Sequence, residues 1–304
     1  MPKILVSLRV IFVLFLFFFL SVAQGDVLCY LYRHFIDASS EPVHWLLGGA
    51  AAAILILIMW LLSRTAVCRR YPLIETIPAG FAAVLAVSLP FASWQHVLVT
   101  ILYYCVAAAT LVFCNRLLQK AYHTARRRLP LLIYGTGLLL VCFVTGLRAA
   151  ATDADHYELR TAEALRRCDY AAAYRTGEIA LAVTPRLFAM RSYLLATQGE
   201  GLSQTLFKQP IPAGGSKHLL LPNDEWQRLN FSPDSLYVRL GGTPAQGETT
   251  LQFLQRLALP ADTAHRPTPL ARDYYLCALL LDRRLSDFAE TYAALCPGDS
   301  VNLP

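Results

Sequence analysis

Long apolar runs fill the first half of the chain, and short amphipathic ones fill the second. Apolar residues run almost unbroken over 4–23, 43–62, 73–93, 97–114 and 129–147. Each run is close to the roughly 20 residues that a helix needs to cross a bilayer. From Asp153 on, charges enter every short window, and apolar residues recur three and four apart, the spacing of a helix with one buried face. The pattern predicts an all-α protein in three parts: a five-helix transmembrane domain over 1–150, a helical repeat region over 151–213, and a loop-rich segment with further helical hairpins over 214–304.

Local signals refine this picture. Pro78 and Pro90 stand near the two ends of the third run, where a span can start or stop without losing central hydrogen bonds. Gly48 to Ala53 offers small residues four apart on the second run, which lets another helix approach closely. Trp94-Gln95-His96 forms a tight uncharged link before the fourth run, and its Trp and His read as interfacial anchors. The first run has a basic start and small residues at Ser21 and Ala23, features shared with a cleavable secretion signal, while the charge alternation that follows favours a retained helix. Arg9 and Glu75 lie near run ends and are expected to reach the interface; a proton or ion pathway, which needs buried ionisable groups, is disfavoured.

The net charge of +6 belongs to the apolar half. Residues 1–152 hold twelve Lys or Arg against four acidic residues, and residues 153–304 hold fifteen against seventeen. A nucleic-acid binder would carry its cations on the soluble part, so that class is excluded. The cations mark topology instead. Arg64, Arg69 and Arg70 follow the second run; Arg116, Lys120, Arg126, Arg127 and Arg128 crowd the loop after the fourth. Positive residues stay on the cytoplasmic face, so the amino terminus is expected inside a bacterial inner membrane and the second half in the periplasm.

In the second half, residues 153–167 read as a helix with acids in its first turn and arginines in its last. The segment from Cys168 to Pro185 follows. Asp169 and Tyr170 at a helix entry, Ala173 at a close helix contact, Ala180 and Leu181 in the final turn and Pro185 as a stop together resemble a tetratricopeptide repeat; Cys168 stands where that family usually has glycine. Weaker helical patterns cover 186–198 and 202–207, and a Pro- and Gly-rich stretch over 208–247 carries short helices near 224–229 and 233–240. Further helices are expected over 248–259, 269–281 and 285–295, the last two as a hairpin whose tip, Asp282-Arg283-Arg284, is expected to be solvated.

Taken together, Gln24-Gly-Asp-Val27, Leu219 to Trp226, Phe231 to Tyr237 and Asp273 to Cys277 resemble an uncharacterised inner-membrane protein family of Bacteroides-type bacteria. That resemblance implies the same architecture and carries no activity.

Reaction signatures are missing from the sequence. It has no phosphate-cradling glycine loop, no nucleophile turn, and no Cys or His at metal-ligand spacing, so no cofactor or metal is expected. The eight cysteines read as packing thiols, and His156 as a surface residue at a helix start. The expected function is a membrane-anchored scaffold that presents its repeat domain to a protein or peptide, with membrane lipids as its other partner. The alternative is a membrane enzyme, or a subunit of one, acting on envelope lipid or glycan, for which His44, His96, Tyr103 and Tyr104 are the candidate residues.

Overall fold

The computed structural model describes residues 2–36, 43–71, 73–88, 91, 93–121, 128–176, 183–198, 202–208, 210–229, 231–260 and 267–295. The described residues contain helices and no strands, and the chain divides into two compact units, 1–152 and 153–304.

In the first unit, α1 (Pro2–Phe18) runs on through a π-helical turn (Phe19–Ala23), and α2 (Gly25–Phe35) follows at once. Then come α3 (His44–Ser63), the short α4 (Ala66–Arg70), α5 (Thr76–Ser88), α6 (Trp94–Ala121) and α7 (Arg128–Leu147). Among the described residues, three helices are long and apolar enough to cross a membrane: Ile4–Ala23, His44–Ser63 and Trp94–Leu117. The other two expected spans are shorter apolar helices among the described residues, Thr76–Ser88 and Leu132–Leu147. For the third run the cause is local. Leu73 is fully buried with a left-handed backbone (φ 69°), which delays the helix start to Thr76.

The small residues of α3 meet the π-turn as the sequence predicts. A Cβ added at Gly48 would stand 2.6 Å from Ser21 N and 2.7 Å from the Leu20 carbonyl carbon, so only glycine lets the two backbones cross there. Helix α2 fills part of the stretch between the first two apolar runs, where the pattern predicts a connecting loop. It buries Val27 and Arg33 and leaves Phe35 and Ile36 exposed.

The second unit contains α8 (Asp153–Arg166), α9 (Tyr170–Arg175), α10 (Pro185–Gln198), α11 (Leu202–Leu206), α12 (Asn223–Arg228), α13 (Asp234–Leu240), α14 (Thr250–Ala258), α15 (Pro269–Leu281) and α16 (Leu285–Leu295). A 3-10 turn, Gly215–His218, precedes α12. Helices α8 and α9 form a hairpin on which α10 packs, and α15 touches α11, α13, α14 and α16. Residues 187–196 of α10 and 274–279 of α15 are buried without a break, so both helices are covered on every side. Around them one continuous apolar core gathers Leu165, Phe188, Trp226, Phe253 and Tyr274. Thr249, Thr268 and Asp169 cap α14, α15 and α9 by accepting from backbone N–H groups of the first turn.

Asp282 is no solvated tip. Its carboxylate accepts from Ser216 N and from Ser216 Oγ, each at 2.7 Å, and so fastens the 3-10 turn to the end of α15. Gly215 (φ 71°) lies so close that any side chain would strike this carboxylate.

Candidate functional site

Among the described residues, polar side chains gather at a cleft and at the meeting of two helix ends. The first is a cleft of about 1130 Å³ in the second unit. Its floor is apolar, formed by Leu220, Leu221, Tyr237 and Phe253, and its walls come from the start of α8, the entry to α10, the 217–225 segment and the 244–250 loop. Arg186, at the entry to α10, ties the walls together. Its Nε donates to Glu225 Oε2 at 2.5 Å and its Nη1 to Glu158 Oε2 at 3.3 Å. Thr184 Oγ1 donates to Glu158 Oε1 and accepts from Leu187 N at 3.1 Å, so one hydroxyl caps α10 and holds the carboxylate. Burial raises the Glu158 pKa, against the pull of Thr184 and Arg186.

Opposite stands Glu248, bonded to Arg256 at 2.8 and 2.9 Å, and this hydrogen bonding lowers its pKa. Burial lowers the His218 pKa, so its ring is neutral at neutral pH; its Nε2 donates to the Ala213 carbonyl at 3.1 Å. The carboxylates on the walls are thus largely matched by arginines, and the cleft offers an apolar floor beneath a balanced, hydrogen-bonding rim.

The second place is in the first unit, where α6 begins and α7 ends. His96, Thr100, Tyr103 and Arg148 converge there. Arg148 Nε donates to Thr100 Oγ1, and its Nη2 lies within 3.1 Å of both the His96 carbonyl and His96 Nδ1. His96 Nε2 is 3.0 Å from the Arg148 carbonyl, and the Arg148 guanidinium carbon lies 5.5 Å from the Tyr103 ring centre. Two of the four candidates named for a membrane enzyme therefore meet. Tyr104 instead bonds Thr145 at 2.7 Å inside the bundle, and His44 packs against Gly25.

Sequence reasoning missed one charged pair. Arg9 Nε donates to Glu75 Oε1 at 2.7 Å, and the Glu75 side chain is fully buried, so neither residue simply reaches for the interface. Glu75 Oε2 is buried without a partner among the described residues. The position of Glu75 at a run end hid this, because its counter-ion is 66 residues away.

Of the residues matched to the repeat, Asp169 caps α9, Tyr170 is its first residue, and Ala173 is fully buried in the core. Cys168 has a left-handed backbone (φ 55°). Pro185 is the first residue of α10, a favoured place for a residue without an N–H. Ala180 and Leu181 lie outside the described residues. Among the topology residues, Arg64 stacks 3.6 Å over the Trp60 ring and Arg116 is exposed. Arg126 and Arg127 lie outside the described residues, as do the side chains of Arg69, Arg70, Lys120 and Arg128. The described cysteines are free thiols.

Searches against protein-family models, curated proteins and solved structures give no match to this chain.

Proposed function

We propose that this protein is a membrane-anchored scaffold whose second unit, a repeat-like helical domain on the extracytoplasmic face, binds a polypeptide segment in its cleft. The cleft carries this reading. At about 1130 Å³ it is larger than most small-molecule pockets, and its apolar floor under a charge-matched rim suits alternating apolar and polar side chains. The resemblance of residues 168–185 to a tetratricopeptide repeat supports the same reading, with Cys168 supplying the left-handed turn that the repeat takes from glycine.

On this reading the five apolar helices all cross a bacterial inner membrane, with the amino terminus in the cytoplasm. Polar groups bracket them in support. On α6, His96 and Asn115, which bonds Tyr134 at 2.7 Å, stand nineteen residues apart. That separation is about 28 Å along a helix, close to the thickness of a hydrocarbon core. Helix α5 runs from the Arg9–Glu75 pair to Ser88, whose Oγ accepts from Ala150 N at 3.2 Å just past α7.

A photo-crosslinking residue at Asn223, on the cleft rim, tests the proposal in intact membranes, with Val238, 79% exposed and outside the cleft, as control. Asn223 should capture one protein that Val238 does not, and Leu221→Asp in the cleft floor should abolish capture. Equal products from both positions, or capture indifferent to Leu221→Asp, would remove the cleft from the account. A reporter fused after residue 295 that is active only in the cytosol would overturn the orientation.

A further inference from the structure

We propose that Arg148 is the headgroup contact for a phosphate-bearing membrane lipid. The proposal rests on the reading that α6 and α7 cross a membrane. Arg148 follows α7 directly and faces the first turns of α6, where two apolar helices end together and lipid headgroups begin.

All of its acceptors are neutral: Thr100 Oγ1, the His96 carbonyl and His96 Nδ1. The histidine tautomer follows from geometry. Because Nε2 faces the Arg148 carbonyl at 3.0 Å it must donate, so Nδ1 carries the lone pair that accepts from Arg148, and the ring brings no charge. Arg9, Arg186 and Arg256 each have a carboxylate within 3.3 Å; Arg148 has none among the described residues. Its Nη1 has no acceptor among the described residues, and it is not sealed inside the bundle.

A permanent cation at the edge of an apolar bundle calls for an anion, and at this depth phosphate is the anion that the surroundings supply. Three hydrogen bonds and the Tyr103 ring hold the guanidinium still before any ligand arrives, so binding sacrifices little side-chain freedom. Tyr103, whose ring lies 5.5 Å from the guanidinium carbon, is 42% exposed, and Trp94, which opens α6 two residues before His96, is 73% exposed; both suit the glycerol and upper acyl region. The same chemistry would also accept free phosphate, and the test separates the two.

The purified full chain, stripped of lipid in a neutral detergent, is titrated with dihexanoyl phosphatidylglycerol, with dihexanoylglycerol, which lacks the phosphate, and with inorganic phosphate. Bound molecules are counted by mass spectrometry of the intact complex. The wild type should retain one phosphatidylglycerol, bind dihexanoylglycerol at least about tenfold more weakly, and bind inorganic phosphate more weakly still. Arg148→Gln should lose about tenfold in phosphatidylglycerol affinity. Arg148→Lys keeps the charge without the fork and should fall between; it also keeps the test decisive should Arg148→Gln fail to fold. Equal retention by the wild type and the folded variants would overturn the site. Dihexanoylglycerol binding as well as the phospholipid would overturn the phosphate contact, and inorganic phosphate binding as tightly would overturn the lipid as its source. The titration is done in detergent solution, so its outcome is independent of the reporter that tests the crossings.

Discussion

Removing the Asp282 carboxylate should destabilise the second unit by about 3 kcal/mol. Asp282→Ala would leave the N–H and O–H of Ser216, itself only 5% exposed, facing no acceptor. A buried donor left unmade costs about 1–3 kcal/mol, and the hydroxyl can recover part of its share by rotating. In a unit of this size each kcal/mol moves the melting temperature by about 2–4 °C, so the shift should be roughly 6–12 °C. Asp282→Asn distinguishes hydrogen bonding from charge. Its amide oxygen can still accept from Ser216 N, while the hydroxyl turns to accept from the amide nitrogen, so the cost should stay below about 1 kcal/mol. A carboxylate at the end of α15 also opposes the helix dipole, and losing that charge works in the variant's favour. The assay is the temperature at which residues 153–304 lose resistance to trypsin in the full chain, followed peptide by peptide. If Asp282→Ala melts within about 1 °C of wild type, or Asp282→Asn falls as far as Asp282→Ala, the staple does not act as argued.

Substitutions at four further positions probe separate links. Burial raises the Glu158 pKa above 4.5, so its contribution to stability is fullest below the unfolded value and is lost as pH rises through the folded one. The stability difference between wild type and Glu158→Gln, measured by melting from pH 4 to 7, should therefore fall as pH climbs; a rise would refute the assignment. Cys168→Gly should raise the melting temperature by about 1–2 °C, because relief of a left-handed backbone outweighs glycine's entropy cost, whereas Cys168→Val should lower it. Gly48→Ala should cost about 1–3 kcal/mol in detergent melts because its methyl meets backbone, while Gly49→Ala, whose methyl would sit 3.5 Å from the Phe17 ring, should be nearly silent. Equal effects at the two glycines would refute the close crossing.

What could be read from the sequence was local or periodic. Apolar runs announce α1, α3 and α6, the paired small residues announce the Gly48 crossing, and Asp169 at the entry to α9 follows from residue type at a helix start; the cap at Thr249 falls inside the helix expected over 248–259. Helix α2 escaped because Asp26, Arg33 and His34 give it the composition of a loop, although its apolar residues share one face. The Asp282 staple and the Arg9–Glu75 pair each join residues 66 positions apart, beyond any pattern in a short window. The cleft is built from separate wall segments whose nearness is set by the packing of α10 and α15. In the Arg148 cluster, His96 was legible as an interfacial anchor and, with Tyr103, as a candidate for a membrane-enzyme site; their convergence on one guanidinium was not.

The Arg9–Glu75 pair sets a constraint on assembly. A carboxylate carried alone into apolar surroundings is costly, yet Glu75 is synthesised 66 residues after its counter-ion. On the proposed reading, in which α1 and α5 both cross the membrane, the opening helix would wait near the point of insertion until α5 arrives, and the two would enter lipid as a neutral couple. On that same reading, a variant lacking Arg9 would stall the biogenesis of the bundle when α5 emerges, well before any folded product could be weighed for stability.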